Sequence, residues 1–173
     1  MKTPPRILIP VSDAFEDLEV YYPKLRLEAA GCRVVLASPD GKPCSGKHGY
    51  PCKPDAALEK ITAAELDGIM VPGGWAPDYL RRVEHLLQLV RTVDEQGKLL
   101  GSICHGPWVL ISAKVLKGRR CTSTPGIRDD VENAGGLWRD DAVVEDHNLI
   151  TSRRPPDLPA FGEALVAWLN NRR

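Results

Sequence analysis

The sequence predicts an α/β fold with a mainly parallel sheet, and three observations carry that prediction. Short runs rich in Val, Ile and Leu alternate with stretches of helical periodicity. The units of that alternation close on glycines. The chain has 173 residues, 43% hydrophobic and 27% charged, which suits one globular domain, so a single domain over residues 1–173 is expected.

Taken in order, RILIPV (Arg6 to Val11) reads as a first buried strand. A helix follows up to Gly31, with Leu18, Tyr21, Tyr22, Leu25 and Leu27 near helical spacing, and Pro23 predicts a kink or a new first turn. RVVLAS (Arg33 to Ser38) is the next strand, and the Pro/Gly-rich segment 39–55 reads as turns and a hairpin. LDGIMVPGG (Leu66 to Gly74) gives a strand that stops at a Gly-Gly turn, segment 76–97 a helix, and KLLGSIC (Lys98 to Cys104) a further strand. GPWVLISAKVL (Gly106 to Leu116) should be helix, and segment 119–136 a short strand and a helix. AVVEDHNLITS (Ala142 to Ser152) reads as a hairpin turning at Asp146, His147 and Asn148. The last helix places Phe161, Leu165, Trp168 and Leu169 on one side.

Charge and composition exclude several function classes. Lys plus Arg and Asp plus Glu each total 23, which offers no basic face for phosphates, so nucleic acid is not expected as a partner. No apolar run is long enough to span a bilayer, and MKTPPRILIPV enters a strand pattern without a signal-peptide core; a cytoplasmic protein with no membrane partner is expected. Five cysteines (Cys32, Cys44, Cys52, Cys104 and Cys121) at irregular spacing argue against a disulfide framework and against a zinc site of paired cysteines. No metal or organic cofactor is implied.

In open α/β sheets ligands collect beyond the carboxyl ends of the strands. Three segments meet that condition: SDAFED (Ser12 to Asp17), PGGWAPD (Pro72 to Asp78) and CHGP (Cys104 to Pro107). Taken alone, Cys104 is a small buried hydrophobe, as free cysteines usually are. Its place between strand and helix, with Gly106 two residues on, instead matches a G-x-S-x-G nucleophile elbow with cysteine for serine, although Ser102 replaces the first glycine. A sharp bend there would turn the sulfur out over helix N–H groups, which favour thiolate and lower the thiol pKa. Gly73 and Gly74 have the ordinary reading of a tight turn and, beside it, that of an oxyanion hole formed by the N–H groups of Gly74 and His105. His48, in GKHGY, reads as a loop histidine, and His85 and His147 as surface positions.

GSICHGP, FEDLE, GKHGY, VPGGWAPD and TSTPGIRDDVENAGG are spread over nearly the whole chain, and together they resemble the PfpI-type intracellular protease and deglycase branch of the ThiJ/PfpI superfamily. The resemblance implies a flavodoxin-like three-layer sandwich related to the class I glutamine amidotransferase domain, assembled as a homodimer or hexamer. It implies Cys104 as nucleophile and His105 as the adjacent histidine, with a carboxylate from a neighbouring subunit, here Asp78, as third member. It also implies Glu16, in FEDLE, as the acid beside the sulfur. On the residues alone Glu16 is equally a solvated acid at a helix start, and Asp17 and Glu19 read as surface or capping groups.

Three functions suit such a site. The first is cofactor-independent conversion of reactive dicarbonyls or their glycation adducts: Cys104 adds to the aldehyde, Glu16 moves a proton between adjacent carbons, and water releases a 2-hydroxy acid such as lactate. The second is peptide hydrolysis by Cys104, His105 and Asp78 shared across subunits. The third is a redox-sensing or holdase stress protein with little turnover, in which the acid stabilises an oxidised Cys104.

Overall fold

The elements, in chain order, are β1 (Arg6–Pro10), α1 (Asp17–Ala29), β2 (Arg33–Ser38), β3 (Cys44–Ser45), β4 (Pro51–Cys52), β5 (Ala56–Ala57) and β6 (Gly68–Val71). There follow α2 (Ala76–Leu80), α3 (Glu84–Glu95), β7 (Leu99–Ile103), α4 (Pro107–Ala113), β8 (Arg120–Cys121), α5 (Arg128–Asn133), β9 (Leu137–Trp138), β10 (Val143–Asp146), β11 (Leu149–Ser152) and α6 (Leu158–Asn170). They belong to a computed structural model that describes residues 3–172; positions 1, 2 and 173 of the expected domain span lie outside the described residues.

Among the described residues the main sheet runs in the order β10-β11-β7-β6-β1-β2-β5. All of its pairings are parallel except β10 with β11. Strands β6, β7 and β11 are buried along their whole length, as strands covered on both faces must be. Helices α1 and α6 pack together on one face, and α2, α3 and α4 on the other. Ile7, Leu8, Ile9, Met70, Phe15 and Phe161 are fully buried between the layers. This is the flavodoxin-like α/β sandwich. No helix of the described residues is long and apolar enough to cross a membrane.

The sheet reverses its direction of growth at β1, because the chain lays β2 and β5 on one side of it and returns to lay β6 and β7 on the other. Loops after β1, β6 and β7 therefore converge at one end, as the switch-point rule requires. Phe15, beyond β1, bridges both to Gly46 and to Gly74, which ties the first loop to the 39–55 excursion and to the Gly-Gly turn.

Two local expectations are corrected. Helix α1 continues through Pro23, with no new first turn; proline removes only its own N–H, the donor that would otherwise meet the Glu19 carbonyl. Its buried face is Glu19, Val20, Pro23 and Leu27, while Leu18 and Leu25 are 58% and 62% exposed. A buried row at helical spacing is kept, but it is a different row from the one the aromatic and leucine spacing suggested. The long helix over 76–97 is in fact two, α2 and α3, separated around Arg81–Val83.

Candidate active site

The site begins with an unusual backbone. Cys104 has φ of 62°, a left-handed conformation that a non-glycine residue rarely adopts. The bend is held by Cys104 N–H donating to the Ser152 carbonyl (3.1 Å) and by Thr124 N–H donating to the Cys104 carbonyl (3.0 Å). Gly106 makes it possible, because a Cβ there would lie 2.5 Å from Ser102 Oγ and 2.5 Å from the Val71 carbonyl oxygen. Ser102, standing where the elbow pattern has glycine, is thus accommodated by the missing side chain at Gly106. The sulfur is half-buried rather than sealed in the core.

The backbone N–H groups of Gly74 and His105 lie near the Cys104 sulfur and pull its pKa down. Gly74 can deliver its N–H because its φ is 77° and because it packs directly against the backbone of Ala14, Phe15 and Glu16. His105 Nδ1 lies 3.4 Å from the same sulfur, so the bend brings the neighbouring imidazole into contact with the thiol. The ring sits between Trp75 and Trp108, with centroids at 5.3 and 5.0 Å. Burial and the nearby Lys47 ammonium hold His105 below the usual imidazole range, which favours a neutral ring able to accept a proton.

The acid beside the sulfur is Glu19, in place of the expected Glu16. Glu19 is fully buried. Its Oε2 accepts the Gly73 N–H at 2.8 Å. A Cβ at Gly73 would lie 2.5 Å from Glu19 Oε2 and 2.6 Å from Cys104 Cβ, so the carboxyl and the cysteine meet across that glycine. Its other oxygen, Oε1, has no conventional hydrogen bond among the described residues, although the carboxyl as a whole interacts with the Cys104 thiol. A protonated carboxyl would use that oxygen to donate toward sulfur.

Glu16 points elsewhere. Its Oε2 takes Lys47 Nζ at 2.6 Å and lies 3.7 Å from His48 Nε2. One helical turn separates the two acids, and the pitch of α1 decides which faces the sulfur: Glu16 lies at the helix entrance, Glu19 on the face pressed against the Gly-Gly turn. Asp17 is likewise a buried anchor instead of a surface group. Its Oδ2 and Oδ1 accept the N–H groups of His48 and Tyr50, each at 3.0 Å, and so fix the GKHGY loop.

The electrostatics follow from burial. Glu19 is pushed up to about 8, chiefly by desolvation, with the Glu16 charge adding to the rise. The Cys104 thiol is pushed up to about 12, first by burial and then by the Glu19 charge, against the pull of the Gly74 and His105 N–H groups. This is opposite to the lowered thiol expected from the elbow alone. The N–H donors are in place, but loss of water around the sulfur and a carboxyl beside it outweigh them. Protonation of Glu19 removes the repulsion, so sulfur and carboxyl titrate as a pair, and the state suited to nucleophilic attack has the proton on oxygen.

Asp78, on α2, is exposed and lies 3.6 Å from Arg82. It makes no ion pair with His105 among the described residues, so it could orient that ring only from a neighbouring subunit. Glu16, Asp17 and His48 bring ligand-type atoms within 4.8 Å of one another. The Lys47 ammonium already neutralises Glu16 and two N–H groups already engage Asp17, which leaves that cluster poorly suited to a cation.

A signal for Glu19 is present in the sequence: FEDLE contains two glutamates three apart, and α1 must turn one side of that turn inward when it packs on the sheet.

Comparison with known proteins agrees with this fold. The model of the DJ-1/PfpI family matches residues 5–168. A deglycase of Thermococcus kodakarensis is 45% identical over 164 residues, 95% of this chain and 99% of the relative. The protein/nucleic acid deglycase 2 of Escherichia coli is 41% identical over 167 residues, 95% of this chain and 97% of the relative. Among solved structures, a two-domain Anabaena variabilis protein with DJ-1/ThiJ/PfpI-like and ferritin-like domains superposes with a TM-score of 0.93 at 38% identity, covering 96% of this chain and 48% of that one. Drosophila melanogaster DJ-1beta gives 0.89 at 26% identity, covering 94% and 89%.

Proposed function

Since the chain belongs to the DJ-1/PfpI family, we propose that it is a cysteine-dependent enzyme that converts reactive dicarbonyls and the early adducts they form on amines and thiols. The observation that carries this reading is the buried Glu19 carboxyl held against the Cys104 side chain across Gly73.

With methylglyoxal, the Cys104 thiolate adds to the aldehyde carbon, and the developing oxyanion is received by the N–H groups of Gly74 and His105, which gather at the sulfur. Glu19 hands its proton to that oxyanion, and the resulting hemithioacetal then loses its carbon-bound proton to the Glu19 carboxylate, which returns one to the adjacent carbon. The product is a thioester of lactate. Water hydrolyses it, releasing lactate and restoring the thiol. For a glycation adduct, the amine or thiol leaves as the sulfur takes over the carbon. The name of the Escherichia coli relative, a protein/nucleic acid deglycase, supports extending the substrate class to such adducts. No step requires a metal or an organic cofactor.

The pH dependence checks the acid. The attacking form, with the thiolate and a protonated Glu19, belongs to the singly protonated pair, which replaces the doubly protonated one as pH passes about 8, so kcat/KM for methylglyoxal should rise through about pH 8 and then level off. A profile that is flat across about pH 7–9 would mean that no proton leaves the pair in that range and that Glu19 is not its raised acid.

A peptidase reading is favoured by one observation, the 3.4 Å contact of His105 Nδ1 with the Cys104 sulfur. In that reading Asp78 of a neighbouring subunit orients the ring, in a homodimer or hexamer. Offering methylglyoxal and a fluorogenic peptide side by side to the wild type and to Asp78→Ala separates the two. Lactate formation little changed in the variant, with peptide cleavage weaker by about tenfold or more, is the expected result, because only amide cleavage needs an oriented imidazolium to protonate the leaving amine. Peptide turnover without lactate would overturn the dicarbonyl assignment.

A further inference from the structure

The excursion between β2 and β5 holds two cysteines that the proposed reaction does not use. Cys44 and Cys52 are direct partners across the antiparallel pair β3/β4. Cα atoms of such partners lie roughly 4.5–5.5 Å apart, within the range a disulfide spans, and their side chains leave the same face of the ribbon. The two thiols are reduced and in contact with each other. They differ in environment. Cys44 is half-buried and lines a cavity of about 430 Å³ together with Asp13, Asp40, Lys42 and Tyr79. Cys52 is 2% exposed and lies near Tyr21, whose hydroxyl donates to the neighbouring Pro51 carbonyl at 3.0 Å.

We propose that Cys44 and Cys52 form a thiol–disulfide exchange site for small disulfides, with Cys44 as the entry thiol and Cys52 as the resolving one. The cavity admits a low-molecular-weight disulfide RSSR to the Cys44 sulfur. The Cys44 thiolate attacks one of its sulfurs, giving the mixed disulfide Cys44–S–S–R and releasing RSH. The Cys52 thiolate then attacks the Cys44 sulfur. A Cys44–Cys52 bond forms and the second RSH leaves. Two protein thiols are oxidised and one disulfide is reduced to two thiols. Burial raises both thiols, so the exchange is slow at neutral pH and quickens as pH rises.

The consequence is local. Cross-linking closes the hairpin that contains Lys47 and His48, the residues facing Glu16 at the edge of the site. The hairpin thus links the redox state of a peripheral pair to the charge that stands beside Glu19 and Cys104.

Incubation of the folded protein with oxidised glutathione at mildly alkaline pH, followed by alkylation and peptide mapping, tests this. Trypsin cuts after Lys47, between the two cysteines. The expected product is the pair of flanking peptides joined by a disulfide, about 2 Da lighter than the two free thiols. Cys52→Ser should instead retain glutathione on Cys44. The wild-type map needs no variant to fold. Free, alkylatable Cys44 and Cys52 after equilibration, a glutathione adduct that stays on Cys44 in the wild type, or adducts confined to Cys104 would each overturn the proposal.

Discussion

Glu19→Gln is expected to lower kcat/KM for methylglyoxal by about 10²–10⁴, the range for loss of a positioned general acid–base, while Glu16→Gln keeps it within about tenfold. The asymmetry rests on placement. Glu19 is buried against Gly73 and the Cys104 side chain. Glu16 is tied to a lysine whose side chain is 37% exposed, and an ion pair with one partner in water contributes little, ~1 kcal/mol or less. Steady-state kinetics on both variants decide the matter, and the reverse ranking would return the acid role to Glu16.

The same substitution should flatten the dependence of stability on pH. The Glu19 carboxyl's folded value of about 8 stands above its ordinary 4.5. Between those values the unfolded chain releases a proton that the folded chain retains, so stability falls as pH rises from about 4.5 and levels off beyond about 8. At ~1.4 kcal/mol per unit, the loss is on the order of 5 kcal/mol. Glutamine does not titrate. Urea unfolding at acidic and at mildly alkaline pH should therefore show a larger pH slope for the wild type than for Glu19→Gln. Equal slopes would mean that the carboxyl ionises in the folded protein as it does in water.

Gly74→Ala is expected to be the most destabilising single change at the site. The position has φ of 77°, and the added Cβ would lie 2.4 Å from Glu16 N, 2.5 Å from the Ala14 carbonyl oxygen and 2.6 Å from the Phe15 carbonyl carbon. All three are backbone atoms that cannot swing aside. A loss of about 3 kcal/mol or more follows, which for a chain of this size lowers Tm by roughly 6–12 °C. Gly126→Ala serves as the control, because a Cβ there meets nothing within 4 Å. Thermal melts of the two variants that coincide would refute the close approach of the Gly-Gly turn to the β1 loop. Activity should fall with Gly74→Ala as well, since the Gly74 N–H can no longer be aimed at the sulfur.

Several features are legible in the amino-acid pattern. Strands such as Arg6–Pro10 and Leu99–Ile103 are continuous apolar runs ended by turn residues, and periodicity alone finds them. The hairpin at His147 is equally plain, and its φ of 56° suits the turn residues there. The elbow is readable because it needs a cysteine and a glycine at fixed offsets within a few residues. Assignment of the acid is not. Glu16 and Glu19 share one helical turn and one residue type, and which of them is dehydrated depends on how α1 sits on the sheet.

The thiol's ionisation escapes local pattern for a related reason. Helix N–H donors next to Cys104 can be inferred from a strand-to-helix junction, and backbone N–H groups do pull its pKa down. Desolvation by residues distant in sequence and the charge of a carboxyl that arrives from α1 act in the other direction and win. Leu18 and Leu25 show the same limit: both are apolar at helical spacing, yet both face outward.

Residues close together in the chain are enough to set the order of strands and helices, the bend that carries Cys104 and His105, and the end of the sheet at which chemistry gathers. Packing in three dimensions alone decides that Glu19 meets the sulfur, that Glu16 is held by Lys47, and that Cys44 faces Cys52. Those relations depend on the rotation of a helix and the register of a ribbon, which contacts between distant segments fix and short-range spacing leaves open.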